Sequence, residues 1–395
     1  MKDLHSTKRR FFKSQTLTQG QQFTISDIAV GEWIRKIRLR LTGSITAAGT
    51  PAGTIVSRGV LDLLENIQIL FDGDTRLSGL TLRHLAQLGA LQTRMIPTTI
   101  DPTDATSTAA QSYEAVVDFF PNFIRSLDPR DGFVPPSVVQ ISATVAAVTA
   151  ADNPFINYST DPSSLTFSGT LEVYIETTEK VEADETSKKY YDVFRTAAFA
   201  STGETSLRLY SQRFSRFLTR LVLFQHTTST VVGDPLSDTP LSTLVVKAGS
   251  NDIINEPRFA NQRDAEDLYK IAQSSLVGMM IADFTKDKRL SRAIKNFSGD
   301  LDLRANVAST ANTPYAIVVA EFVAPVGAAM DLPSEAFTAV KEGKIPSLLD
   351  AMAAYGKMRP GAYPTHSVGM PGARNMAVFS ARYAKRRKHV RARSA

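Results

Sequence analysis

The sequence predicts an all-β chain: two tandem eight-stranded jelly rolls with short inserted helices and a helical, basic C-terminal extension. Three observations carry this. Apolar residues alternate with period two through most of the chain's body, which is the pattern of strands with one buried face. Pro, Gly, Ser, Thr and Asp fill the gaps between these runs, as turns require. The order of elements then repeats once.

The first strong run opens at Trp33, with Ile37, Leu39 and Leu41 on one face and Lys36, Arg38 and Arg40 on the other; Arg35 is the misfit. Ile67 and Ile69 follow and end in Phe71-Asp72-Gly73-Asp74, where Asp-Gly supplies the positive φ angles of a tight hairpin. Residues 113–120, 138–145 and 165–175 complete the half. Residues 181–189 are charged and carry no strand pattern, so 181–197 reads as a linker.

After it the series restarts. Residues 33–39 match 217–223, 66–70 match 243–247, 139–145 match 301–307, and 171–175 match 317–321. The offsets fall from 184 through 177 and 162 to 146 as loops shorten. Each half also carries an early helix, at roughly residues 79–91 and 261–273, the second with Asn261 as its expected N-cap. Two sandwiches of similar topology follow, at 17–180 and 198–326, and eight antiparallel strands in two sheets make a jelly roll. The inner faces are expected to hold Trp33, Ile37, Leu39, Ile67, Ile69 and Ile141, and in the second copy Phe217, Leu221, Leu223, Leu244 and Val246. Residues 327–358 read as short helices. Residues 359–375 are rich in Gly and Pro. Met376, Phe379 and Tyr383 then lie at helical spacing among basic residues.

The chemistry is sparse. With no cysteine, the chain can form no disulfide, no thiolate metal site and no thiol nucleophile. None of the five histidines lies at metal-ligand spacing from another, and no phosphate-binding or nucleophile motif occurs. His84 and His226 read as structural or surface residues. Asp72/Asp74 read as turn formers and Asp264/Glu266/Asp267 as solvated surface. The expectation is a non-enzymatic chain without cofactor or metal. The most apolar stretch, 314–330, contains Glu321 and Pro325 and reads as a strand and its exit rather than a membrane helix. No targeting segment is expected either.

Charge is concentrated at the ends. Residues 351–395 hold ten Lys/Arg and no acid, and residues 1–14 hold five against Asp3. Of 45 basic and 39 acidic residues, 30 and 38 remain for the body. An acidic body with basic ends points to an anionic partner, a membrane surface or nucleic acid. The candidate contacts are Lys8, Arg9, Arg10, Phe11, Phe12 and Lys13 in an N-terminal arm (1–16), and Arg382, Lys385, Arg386, Arg387, Lys388, Arg391 and Arg393 in the tail (359–395).

The opening strand of each half (Gly31-Glu32-Trp33-Ile34-Arg35-Lys36-Ile37-Arg38-Leu39; Arg216-Phe217-Leu218-Thr219-Arg220-Leu221) and the strand–turn–helix block at 64–88 resemble those of a double-jelly-roll major capsid protein of a tailless icosahedral virus, with a bacteriophage as the expected virus. The resemblance covers residues 17–326 and rests on architecture. It implies homotrimers that form pseudo-hexameric tiles, neighbouring capsomers and minor capsid proteins as partners, and termini near an internal membrane or genome. It also implies a place in the virion shell after assembly in the host cytoplasm. Two other classes remain open: a capsid protein of the long-helix phage fold, and a carbohydrate-binding double β-sandwich of spike or lectin type.

Overall fold

The computed structural model describes residues 8–29, 33–121, 138–178, 187–210, 217–228, 236–285 and 301–325. All of them belong to one compact unit, Met1–Pro325. The expected helices at 327–358 and the tail at 359–395 lie outside the described residues.

Two sheets build the first roll. One runs β1 (Lys8–Leu17), β11 (Ser164–Thr178), β3 (Trp33–Ala48), β8 (Gln111–Phe119) and the short β7 (Thr99–Ile100). The other runs β2 (Gln22–Ala29), β9 (Val138–Val145), β5 (Leu64–Phe71) and β6 (Asp74–Leu80). β4 (Ala52–Ile55) and β10 (Ile156–Thr160) pair as a separate two-stranded ribbon. In the second roll one sheet runs β12 (Ser187–Arg195), β19 (Tyr315–Pro325), β14 (Phe217–His226) and β17 (Met279–Asp283). Its mate runs β13 (Gly203–Tyr210), β18 (Leu301–Val307), β15 (Leu241–Ala248) and β16 (Asn251–Pro257). Leaving aside β4, β7 and β10, both rolls place the first, eighth, third and sixth strands in one sheet and the second, seventh, fourth and fifth in the other. This is jelly-roll order twice, and all four sequence matches fall on equivalent strands.

One match is displaced. Leu171, Val173 and Ile175 point inward, and their structural counterparts are Ala316, Val318 and Ala320, one residue earlier than the sequence alignment places them. Both faces of β19 are apolar, so the sequence offers no parity signal there.

Local chemistry explains the other details. Asp72 and Gly73 take φ of 51° and 79°, the two left-handed positions of a type I′ hairpin. Arg35 is the extra residue of a bulge between Ile34 and Lys36, which is why it breaks the alternation. Ile34 is fully buried beyond that bulge; the side chain of Trp33 lies outside the described residues. The first helix, α1 (Leu82–Thr93), starts at Thr81, whose hydroxyl caps His84 N–H. The second, α2 (Arg258–Tyr269), starts before Asn261, which is not its cap. Asn261 is buried and exchanges hydrogen bonds of 2.7 and 2.8 Å with the backbone of Ile281.

Both rolls begin earlier than the sequence suggests. Residues 8–16, expected in a free arm, pair with β11, and the expected 181–197 linker contains β12. In each case charged side chains masked the strand: Arg9 reaches Glu176 on the sheet surface, and Lys189 is buried against Glu321.

Two clusters form the core. One fills the first sandwich around Ile37, Leu39, Ile67, Ile69 and Ile141, and the other fills the second around Leu221, Leu223, Leu244 and Val246. Phe217 is also buried. Each such side chain contributes roughly 1.5–3 kcal/mol on burial.

Gly43 marks the tightest packing between β3, β8 and β11. A Cβ there would lie 2.1 Å from Ser168 O and 2.3 Å from Tyr113 Oη. Tyr113 donates to that same carbonyl at 2.7 Å and stacks on Phe155. Gly43→Ala is expected to lower stability by about 1–3 kcal/mol through forced repacking, read as a fall in the urea midpoint at unchanged m-value.

Candidate functional site

The two sandwiches share a seam. Every residue of β14 is buried, because both of its faces are covered. Leu221 and Leu223 fill the second sandwich, while Val222 and Phe224 join the first roll's cluster together with Ile281, Ile317 and Val319. Helix α1 lies in this seam: Leu85 and Leu88 lie near Phe119 and Phe120, while Lys189 and Tyr191 of the second roll line the same cleft.

A buried charge network crosses the seam. Lys189 Nζ lies 3.2 Å from Glu321 and donates to Gln92 Oε1 of α1 at 2.8 Å. Arg220 meets the same carboxylate at 3.5 Å and Asp283 at 3.9 Å. Thr219 Oγ1 donates to Glu321 at 3.0 Å, and Tyr269 Oη donates to Asp283. Burial alone would raise the Glu321 pKa; Arg220 and Lys189 outweigh it and hold the carboxyl at about 2. These ions are retained because each is paired, since an unpaired buried charge is far costlier.

His84 and His226 meet in the same seam. Their Nε2 atoms are 2.9 Å apart and both rings are buried. Thr81 N–H donates to His84 Nδ1 at 3.3 Å, so the single His84 proton sits on Nε2 and is given to His226. His226 stacks on Tyr315, and the Arg195 guanidinium covers that ring at 3.9 Å. Burial, then His226 and Arg83, push the His84 pKa well below its usual value. The two histidines are 142 residues apart in sequence, so spacing carried no sign of the pair.

The predicted N-terminal contacts sit on β1, an edge strand. Arg9 is tied to Glu176 at 3.5 Å, Phe11 meets Tyr174 edge-on, and Phe12 packs against the core. Arg382, Lys385, Arg386, Arg387, Lys388, Arg391 and Arg393 lie outside the described residues. Beside β1, the outer face of its sheet carries an ion-pair ladder: Lys36 and Arg38 on Asp118, and Arg40 on Glu114 and Glu172. Asp72 accepts from Val138 N–H at 2.8 Å and Asp74 pairs with Arg76 at 3.2 Å, so both serve the hairpin. Among the described residues no three His, Asp or Glu side chains converge to hold a metal, and no helix is long and apolar enough to cross a membrane.

Glu321→Gln is expected to cost about 3–5 kcal/mol by leaving Lys189 and Arg220 without their buried partner, measured by denaturant unfolding. His84 stays neutral when folded and binds a proton when unfolded. Native stability therefore falls as pH drops below the 6.5 of a free histidine, by up to about 1.4 kcal/mol per pH unit for this group. A His84→Gln variant should show a flatter stability–pH slope between neutrality and mild acid.

The chain matches no protein-family model and no curated protein sequence. Solved structures do match. The STIV MCP aligns at a TM-score of 0.62 and 15% identity, covering 81% of this chain and 97% of that one. A chain in the atomic structure of Sulfolobus Turreted Icosahedral Virus aligns at 0.60 and 16%, covering 87% and 99%. The major capsid protein P2 from Bacteriophage PM2 aligns at 0.50 and 10%, covering 81% and 98%. With two rolls of identical strand order and these alignments, the chain has the double-jelly-roll fold.

Proposed function

We infer that this chain is a major capsid protein, a structural component of the shell of a tailless icosahedral virus. One observation carries the reading: the alignment takes in almost the entire length of capsid proteins, both rolls and the seam between them, rather than a single sandwich. A lone jelly roll is shared by many functions; two copies fused at this seam are a narrower match. In this reading the chain acts as a homotrimer that tiles the shell, contacts neighbouring capsomers and minor capsid proteins, and resides in the virion after assembly in the host cytoplasm. Closed cyclic symmetry covers exposed sheet edges without open-ended fibres.

The contact with an internal membrane or genome is assigned to the C-terminal tail, where residues 380–395 hold seven Lys/Arg and no acid. Each contributes about 1 kcal/mol beside an anionic lipid surface, and three tails per trimer act together. Lys8 to Lys13 form part of β1, paired with β11.

Removing residues 380–395 should leave folding and trimer formation intact, as judged by the melting temperature and light scattering, and should yield empty or poorly filled particles in electron microscopy. Particles filled as well as the parent's would show that the tail is a solvated end. A tail peptide that gains helix on anionic vesicles selects the membrane. Steeply salt-dependent DNA binding without helix selects the genome.

A further inference from the structure

Helix α1 is fastened to the second roll near both of its ends, by two chemistries that respond differently to acid. In the first turn, His84 Nε2 meets His226 Nε2 at 2.9 Å. In the last turn, Gln92 Oε1 accepts from Lys189 Nζ at 2.8 Å, and Lys189 lies 3.2 Å from Glu321. The helix between these fastenings is roughly 12 Å long. The strands opposite repeat the same order. In β14, Arg220 pairs with Glu321 near one end and His226 closes the other. In β17, Asp283 lies opposite Arg220 and Met279 lies opposite Phe224.

The histidine fastening has room for one proton only. Two Nε2 atoms at this distance hold a single hydrogen between them. His84 supplies it, because its Nδ1 accepts from Thr81 N–H at 3.3 Å. A further proton on His226 Nε2 would point at the hydrogen of His84. A further proton on His84 Nδ1 would point at Thr81, displace the N–H that bonds there and undo the return bond of the helix cap.

The charged neighbours give no relief. On α1, Arg83 stands next to His84 and is paired with Asp62 at 2.6 Å. From β12, the Arg195 guanidinium covers the ring of Tyr315 in β19, which stacks on His226. β14 adds His226 itself and the Phe224 ring, 4.6 Å from the ring of His84. Both guanidiniums oppose a further positive charge.

The other fastening tolerates mild acid. Glu321 faces Lys189 and Arg220, which hold its carboxyl at about 2. Asp283 faces Arg220 and Tyr269 in the same cluster.

We propose that the seam is an acid-operated hinge: in mild acid the rolls part at the His84–His226 end and stay joined at the Lys189–Glu321 end, with both sandwiches still folded. Parting lets each ring take its proton in water. Each ring then multiplies the open population about tenfold per pH unit below 6.5, the usual histidine value. Phe224 and Met279, buried at that end, keep the open form scarce at neutrality. The hinge belongs to this chain alone and does not depend on the shell reading.

The chain has no cysteine, so one introduced thiol reports one place. Met279→Cys marks the histidine end. Leu88→Cys marks the other, where Leu88 lines a cleft with Lys189. Labelling by a dipyridyl disulfide is timed at each pH and divided by the rate for the same variant unfolded in urea, which cancels the titration of the thiol. At Met279→Cys this ratio should rise about tenfold or more between pH 6.5 and 5, with unchanged far-ultraviolet circular dichroism. At Leu88→Cys it should stay flat down to about pH 3, near the range where Glu321 begins to titrate. Adding His84→Gln and His226→Gln, which cannot titrate, should abolish the rise. A flat ratio at Met279→Cys between pH 7 and 4 overturns the hinge. So does a parallel rise at Leu88→Cys, which means that the whole seam or the whole chain opens. If the double Gln variant does not fold, the comparison of the two thiols decides. If Met279→Cys does not fold, Leu276→Cys replaces it, since both residues line one cleft beside α1.

Discussion

The outer face of the sheet β12-β19-β14-β17 is apolar and must be covered. Val222, Phe224, Ile281, Ile317 and Val319 cannot face water without losing the hydrophobic gain that joins the second roll to the first. Their cover is the first roll with α1 laid across it. This one constraint turns two sandwiches into a single body and fixes where α1 lies. It also encloses the polar groups that happen to sit on the same face. Lys189, Glu321, Arg220 and Asp283 are then buried as a set, and each must find its opposite. The histidine pair is a second consequence: two buried rings on opposite sides of the seam satisfy each other through one hydrogen bond of 2.9 Å.

The fold was legible where one face of a strand meets water. Period-two alternation and the Asp72-Gly73 turn located most strands of the first roll, and the fourfold match in order revealed the duplication. Legibility failed where both faces are buried or where charge is buried. The parity of β19 could not be read from Ile317 to Glu321, since neighbours on both faces are apolar. β12 was hidden because Lys189 reads as a solvent residue and is in fact enclosed. β1 was hidden because Arg9, Arg10 and Lys13 read as a solvated end, whereas the strand pairs with β11 along its length and Arg9 is tied to Glu176. Of the candidate contacts, the basic character of both ends was plain, but nothing local in the sequence said that Lys8 to Lys13 form a strand. The seam networks were invisible for a simpler reason: their members come from β12, α1, α2, β14, β17 and β19, and only the folded topology brings them together.

The two outer sheet faces have diverged in opposite directions. In the second roll the face is apolar and permanently covered. In the first it carries Lys36, Arg38 and Arg40 neutralised by Asp118, Glu114 and Glu172. Partly buried pairs of this kind add modest stability, since each charge still loses some hydration on pairing. They do keep the face hydrated and discourage the stray sheet-to-sheet contacts that an apolar copy would invite.

The position of α1 also sets a timetable for synthesis. Its outward side is closed by residues 271–279 and the sheet beneath by β19, which ends at Pro325. A growing chain can pair β1 with β11 once residue 178 has emerged, yet it carries an uncovered helix and half a seam for well over a hundred residues more. Folding that waits on such distant contacts is slow and exposed to misassociation. The interval during which a newly made chain most needs protection is therefore written into the order of its strands, and it ends only when the last of them is laid down.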